Sequence, residues 1–296
     1  MLPVCSVHEY TPAFSAGCHG KSGIWLRSDC YTAPVNAPSL IASSSGLHAT
    51  WMAASAGAAA VAVGGFYYAA LWPASQIFGH SLIAGNDAAE VALTYDDGPN
   101  DPYTGQLMDV LARNRVRATF FLIGRYVQQK PQIVRALHQA GHLIGCHTMT
   151  HPKLMYMGSK RIRSEISDAA ALIEDIIGDR VRFFRPPFGA RNPAVFHVAA
   201  QLRLTPVLWN VTSWDWKAKS AAEIELHLQR GITRNQRRQR GSNLLMHDGG
   251  HLEMGTDRRR SVTATANLLA TATDGGIRFV TVDRWCPATP ASNRLR

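Results

Sequence analysis

The sequence is short of the features that announce a function most directly. Its five cysteines, Cys5, Cys18, Cys30, Cys146 and Cys286, include no C-x-x-C pair, so they form neither a disulfide framework nor a thiolate zinc site. The formal charge of +10 would suit an anionic partner, and part of it sits in two runs, Arg234 to Arg240 and Arg258 to Arg260. No aromatic residues interleave with the runs and no nucleic-acid motif accompanies them. Nucleic acid is therefore set aside, and the runs read as solvated loops. No internal repeat is visible. Apolar residues are plentiful: at 46% of 296 residues they exclude a disordered chain and can build one large domain or two small ones.

Lysine and arginine are also absent from a long stretch, between Arg27 and Arg113. Inside it, Trp51 to Trp72 reads WMAASAGAAAVAVGGFYYAALW, 22 residues without a charge. That length crosses a hydrocarbon core of about 30 Å. Tyr67, Tyr68 and Trp72 gather at one end, as interfacial aromatics do, and the preceding Lys21 and Arg27 put the N-terminus on the cytoplasmic side and the remainder outside. A membrane anchor or signal segment is expected over residues 51–72, against the plainer reading of an Ala/Gly-rich buried helix. Residues 1–50 read as irregular, either disordered or, with Met52 as the true initiator, outside the native chain. Residues 73–89 read as a linker, 90–285 as the main folded domain and 286–296 as a C-terminal tail.

From Glu90 onward strands and helices alternate. Apolar runs predict strands at Val91–Tyr95, Ala118–Ile123, His142–Cys146, Arg182–Phe184, Thr205–Trp209, Asn243–Met246 and Arg278–Val282. Helical periods fall at Thr104–Arg113, Gln132–Ala140, Ser159–Ile177, Ala194–Gln201, Ala221–Arg230 and Val262–Ala272. Such alternation predicts an α/β fold with a parallel sheet and crossover helices, and seven strands suggest a barrel. Active sites in such folds gather at the C-terminal ends of the strands. The chemically useful residues follow five of the predicted strands.

Asp96 and Asp97 end the first strand, just before Gly98-Pro99. Adjacent carboxylates there are costly without a cation or hydrogen bonds, although an Asp before Gly-Pro also suits an ordinary turn. His147 and His151 are four apart. The pair alone is a weak signal, but two histidines with one carboxylate make a mononuclear metal site with an open position for water. In Arg185-Pro186-Pro187-Phe188-Gly189 the arginine can grip a carboxylate as a bidentate fork. The prolines offer no amide, so Phe188 carries the first free N–H, a candidate oxyanion donor; a rigid loop with a structural arginine is the plainer reading. Asp215 stands between Trp214 and Trp216, aromatics that suit a sugar face or a core. His247 ends another strand as an acid, a base or a surface residue. His142 and His251 read as structural or exposed, and Cys146 as a small buried thiol.

Taken together and in this order, the five segments resemble the five motifs of the NodB-homology polysaccharide deacetylases, carbohydrate esterase family 4. The match covers roughly Glu90 to Arg284. The resemblance implies a distorted (β/α)7 barrel that hydrolyses N-acetyl groups from an amino-sugar polysaccharide or oligosaccharide, peptidoglycan, chitin-like or exopolysaccharide, and releases acetate. It implies one divalent metal ion, usually zinc, held by Asp97, His147 and His151. By the same resemblance Asp96 is the general base, Arg185 its orienting partner, Phe188 N–H an oxyanion donor, His247 the general acid and Asp215 its partner. Trp216 and Pro187 belong to the substrate groove. The fourth motif departs from the common pattern: Thr212 stands where an aspartate is frequent, a change that bears on groove contacts and leaves the implied acid–base pair, His247 and Asp215, intact. Tyr95 replaces a common phenylalanine. The competing readings are an amidohydrolase for a small amide and a metal-bearing glycan-binding module. The topology of the apolar segment implies an extracytoplasmic location, membrane-anchored or exported.

Overall fold

The computed structural model describes residues 44–272 and 276–286. The expectations for residues 1–43 and for the tail beyond Cys286 lie outside the described residues. The chain divides into two units, Met1–Met52 and Ala53–Arg296, and apart from the first residues of one helix the account below concerns the second.

Helix α1, Ser44–Leu71, takes in the end of the stretch read as irregular and nearly all of the apolar segment. Its part Trp51–Leu71 is long and apolar enough to cross a membrane by length and composition. At 1.5 Å per residue, its 21 residues span about 31 Å. Most of this part is exposed, but Ala69 and Ala70 at its end are buried. Residues 73–89 are not a free linker: Leu82 bridges Val207 in parallel and its N–H donates to Pro206 O at 2.9 Å.

Among the described residues eight short strands follow, separated by helices except between the fifth and the sixth. They are β1 Glu90–Gly98, β2 Thr119–Leu122, β3 Leu143–Cys146, β4 Phe183–Phe184, β5 Thr205–Pro206, β6 Val211–Thr212, β7 Ser242–His247 and β8 Arg278–Val280. All pairings are parallel, in the order β5-β4-β3-β2-β1-β7-β6, with β8 beside the start of β1. The ends of this path, β5 and β6, are not paired with each other. The result is a distorted (β/α)7-type barrel, open along that seam.

The expected helices appear as α2 Tyr103–Arg113, α4 Pro131–Gln139, α5 Ser159–Ile177, α6 Pro193–Gln201, α7 Ala221–Arg237 and α8 Arg259–Ala272. Two short elements escaped the periodicity, α3 Gly124–Gln129 and strand β6. The arginine runs are not simply loops: Arg234 and Arg237 lie in the last turn of α7, and Arg259 and Arg260 open α8. Capping explains some boundaries. Ser220 accepts the Glu223 N–H at the start of α7 and Asn192 accepts the Val195 N–H at the start of α6, each typically worth about 1 kcal/mol.

Strand alternation decides which side chains reach the barrel interior. On β1, Val91, Leu93 and Tyr95 join the large apolar layer beneath the helices. Ala92 faces the other way, in a small cluster with Phe121, Phe183, Val207 and Val282. Thr94 and Asp96 share that inner face, which delivers Asp96 to the interior at the strand's C-terminal end.

Candidate active site

Asp97 should point away from Asp96, because successive strand residues alternate. The pairing of β1 with β2 shifts register between Asp96 and Gly98, and Asp97 has φ 73°. This local turn brings both carboxylates to one pocket. Gly249 allows it, since a Cβ there would lie 2.1 Å from Asp97 O. His151, Phe188 and Trp214 also hold positive φ, at 62°, 58° and 58°. Left-handed backbone in non-glycine residues costs of order 1–3 kcal/mol each and concentrates at functional sites. Here four such residues surround one cavity.

Asp97, His147 and His151 each offer a ligand atom, all within 4.8 Å of one another, and all three residues are buried. His151 Nε2 lies 3.2 Å and His147 Nε2 3.6 Å from Asp97 Oδ1. His147 Nδ1 donates to Arg185 O at 2.7 Å, so its Nε2 lone pair faces the cavity, as in metal-ligating histidines whose other ring nitrogen is held by a carbonyl. Asp97 Oδ1 is buried without a well-formed hydrogen bond. One carboxylate and two imidazoles, with an orphaned oxygen between them, fit a divalent cation. Burial pushes the Asp97 carboxyl up, but the hydrogen-bonding contact with His151 and the charge of His247 prevail and hold it well below the usual carboxylate range. Burial brings His147 down to about 4, which keeps it neutral and able to ligate. The loop carrying the histidines is tied to α5: Thr150 N–H and Oγ1 both donate to the buried Glu165 carboxylate at 2.8 Å.

Arg185 is fully buried and donates from Nη1 to Asp96 Oδ1 and to Thr94 Oγ1, each at 2.8 Å. The contact is single, not the bidentate fork expected from the sequence, because the rest of the guanidinium is engaged elsewhere. Nε donates to Val207 O at 3.3 Å and Nη2 to Asn243 Oδ1 at 3.4 Å. Phe121 lies under it, with the guanidinium carbon 4.2 Å from the ring centre. Asn243, which completes this network with Thr94, carries no motif signal in the sequence.

His247 ends β7. Its Nδ1 is 2.8 Å from Asp215 Oδ1, and its backbone N–H donates to Asp215 Oδ2 at 2.8 Å. Ser261 Oγ donates to the same oxygen at 2.9 Å. Burial would lower the His247 pKa, but the Asp215 carboxylate and its hydrogen bond, with Asp97 and Asp96 beyond, raise it to about 9. Asp215, buried but facing His247, is held below the ordinary carboxylate value. Trp216 stands edge-on to His247, ring centres 5.1 Å apart, and Trp214 is tilted against Trp216 at 5.1 Å.

The structure therefore brings together Asp96, Asp97, His147, His151, Arg185, Asp215, His247, Phe188 and Trp216. Pro187 is different: it is buried and does not line the groove. The turn that exposes Phe188 tucks the preceding proline inward. His251, read as a spare histidine, belongs to the site rim. Its ring stacks on His151 with centres 4.6 Å apart, and its Nδ1 is 3.9 Å from Asp97 Oδ2. Only its position four residues after His247 could have marked it. His142 is structural: its Nδ1 accepts the Ala118 N–H at 3.2 Å. Cys146 is buried, which pushes its thiol up to about 12. Thr212 accepts the Trp209 indole N–H at 3.0 Å and lines the groove.

A groove of about 1330 Å³ leads from these residues along the open seam. Buried carboxylates and histidines beside a three-residue pocket that fits a divalent cation, in a parallel α/β barrel, make an arrangement suited to a hydrolase. Residues 84–207 match the polysaccharide deacetylase family. A peptidoglycan-N-acetylglucosamine deacetylase of Bacillus cereus is 35% identical over 67% of this chain and 88% of its own length. A chitooligosaccharide deacetylase of Sinorhizobium fredii is 35% identical over 56% of this chain and 75% of its own. Among solved structures, a peptidoglycan N-acetylglucosamine deacetylase in complex with a naphthalenyl N-oxidanyl-benzamide superposes with TM-score 0.61 at 32% identity, covering 69% of this chain and 91% of that one. A family 4 carbohydrate esterase from Streptomyces lividans, in complex with acetate, gives TM-score 0.56 at 33% identity over 64% and 90%. The chain belongs to the polysaccharide deacetylase family, with the NodB-homology fold of carbohydrate esterase family 4, and is a deacetylase hydrolase.

Proposed function

We propose that this protein removes the acetyl group from N-acetylated amino sugars of a cell-wall or exported glycan, and that it does so with one divalent metal ion, zinc foremost. The observation that carries the reading is the shared cavity of a three-ligand pocket, an arginine-held carboxylate and a carboxylate-held histidine.

Asp97, His147 and His151 would hold the ion, which when bound lowers the pKa of water and polarises the acetyl carbonyl. Asp96 accepts the proton of the attacking water as general base. The Arg185 guanidinium beside it fixes its rotamer and leaves Oδ2 facing the cavity, 3.8 Å from His147 Nε2. Phe188 N–H, the first amide after two prolines, serves the developing oxyanion. His247, kept protonated by Asp215, gives its proton to the departing amine, which is a poor leaving group without it. Trp214 and Trp216, both more than 40% exposed, offer flat faces to a sugar ring. A groove of about 1330 Å³ suits an oligosaccharide better than a small amide, and a non-catalytic binder has no use for both Asp96 and His247. The α1 helix supports attachment at a membrane surface with the catalytic domain outside the cytoplasm.

The test is acetate release from an N-acetylglucosamine oligomer, before and after chelation and with zinc restored. Loss and recovery support the proposal. Absence of release under every divalent metal, from a protein that binds zinc stoichiometrically, overturns it.

A further inference from the structure

The groove does not end at the catalytic residues. It continues along the open seam past Asn210 and β6 to the segment that precedes β7, where Arg230, Arg234, Arg238 and Arg240 line it. From His247 to Gly241 along this strand is about 20 Å at 3.3 Å per residue. Arg230, Arg234 and Arg238 are four apart and so share one face of α7 and its cap. All four arginines are exposed, and none makes an ion pair among the described residues. The opposite wall is Ile83, Ala84, Gly85 and Asn86, and among the described residues the groove's carboxylates are Asp96 and Asp97, at its far end.

Two features show that this face is placed rather than merely solvated. Gly231 lets α7 press onto β6: a Cβ there would sit 2.3 Å from Val211 Cγ1. Arg234 Nη2 donates to Asn210 O at 2.8 Å, on the floor of the seam. The helix dipole favours cations in the last turn, which accounts for Arg234 and Arg237. It does not account for Arg230, a turn earlier, or for like charges stacked at four-residue spacing, which destabilise a helix on their own.

We infer that this arm of the groove binds anionic groups carried on the glycan several sugar units from the acetyl group removed, so that the favoured substrate is an N-acetylated chain bearing carboxylates rather than a neutral one. The inference rests on the deacetylase reading for the direction of the groove. Guanidinium forks recognise carboxylate and phosphate alike, and the chemistry here is that of a bound oxyanion.

The test compares the wild type with the combined variant Arg230→Gln/Arg234→Gln/Arg238→Gln, its fold checked by circular dichroism and melting temperature. Calorimetric binding of a carboxylate-bearing oligosaccharide, a neutral N-acetylglucosamine oligomer of equal length and a phosphorylated oligomer is measured at low and high salt. Expected is a loss of about tenfold or more in affinity for the charged oligomers at low salt only, with the neutral one unaffected and Arg→Lys replacements restoring most of the loss. A larger effect on one charged oligomer tells carboxylate from phosphate. Equal binding of the carboxylated oligomer by variant and wild type overturns the inference. So does loss of binding to phosphatidylglycerol vesicles alone, which would assign the arginines to a lipid surface. Because binding is read without turnover, a protein that releases no acetate overturns the deacetylase reading and leaves this comparison decisive.

Discussion

Asp96 and His247 are in-register partners on the adjacent parallel strands β1 and β7. The proposed base and acid therefore project from the same rung of the sheet, onto the same face, and their spacing is set by backbone hydrogen bonds rather than by a loop. Removing one should leave the other in place. His247→Ala is expected to keep a stoichiometric metal ion, measured by elemental analysis, while acetate release falls by roughly 10²–10⁴-fold, the usual contribution of a general acid. Near wild-type turnover would remove His247 from the mechanism.

Arg185 holds a buried carboxylate and is itself fully buried. Arg185→Met would leave Asp96 uncompensated, and breaking a buried pair from one side costs about 3–5 kcal/mol. Denaturant unfolding should show that loss, together with a steep fall in turnover. Arg185→Lys should recover little of either, because an ammonium cannot reach Thr94, Asp96, Val207 and Asn243 at once.

The Asp215 carboxylate raises His247 from its ordinary 6.5 to about 9. Proton donation needs the charged imidazole, so activity persists at neutral pH and falls as pH rises through the folded pKa. Asp215→Asn removes the nearest negative charge and should move this basic limb to lower pH, read from kcat/KM profiles of the two zinc-loaded proteins. The pair's contribution to stability has the same sign. It is complete below 6.5 and lost as pH climbs through about 9. An unmoved limb would assign it to another group.

Chelation should lower the melting temperature as well as abolish turnover, since an ion bound only by the folded state adds to stability. His151→Ala should erase the chelator's effect on melting. A chelator-insensitive melting curve in the wild type would argue against a resident ion at Asp97, His147 and His151.

Much of this site is legible in the sequence because its residues sit at strand ends, where the βα alternation announces them. Asp96, His147, Arg185 and His247 each follow an apolar run. What is hidden is what the third dimension adds. Thr94 and Asn243 are interior strand residues whose hydroxyl and amide matter only once β1 and β7 pair. His251 joins the rim through a loop that carries no period. Strand β6, two residues long, is too short to alternate, and α3 has too few turns to show a face. The Pro187 expectation failed because the left-handed turn at Phe188 reverses which neighbour is outside, and no composition signal encodes that turn.

Arg191 is 1% exposed and has no carboxylate partner among the described residues. It donates to Ala70 O, Gly189 O, Trp72 O and Ser75 O. A chain beginning at Ser75 loses the Ala70 and Trp72 acceptors. It should be less stable in denaturant than one beginning at Ala69 by a few kcal/mol, at about 1.5–3 kcal/mol for each hydrogen bond to a charged group.

That clamp ties Ala70, in the last turn of α1, to Arg191 just after the Phe188 turn, while Leu71 and Trp72 themselves border the groove. Among the described residues no free linker separates α1 from the catalytic mouth. If α1 is embedded in a bilayer, the enzyme would work close to that surface, and glycan farther out would have to be brought down to it. Reach, as much as recognition, would then decide which sugars lose their acetyl groups.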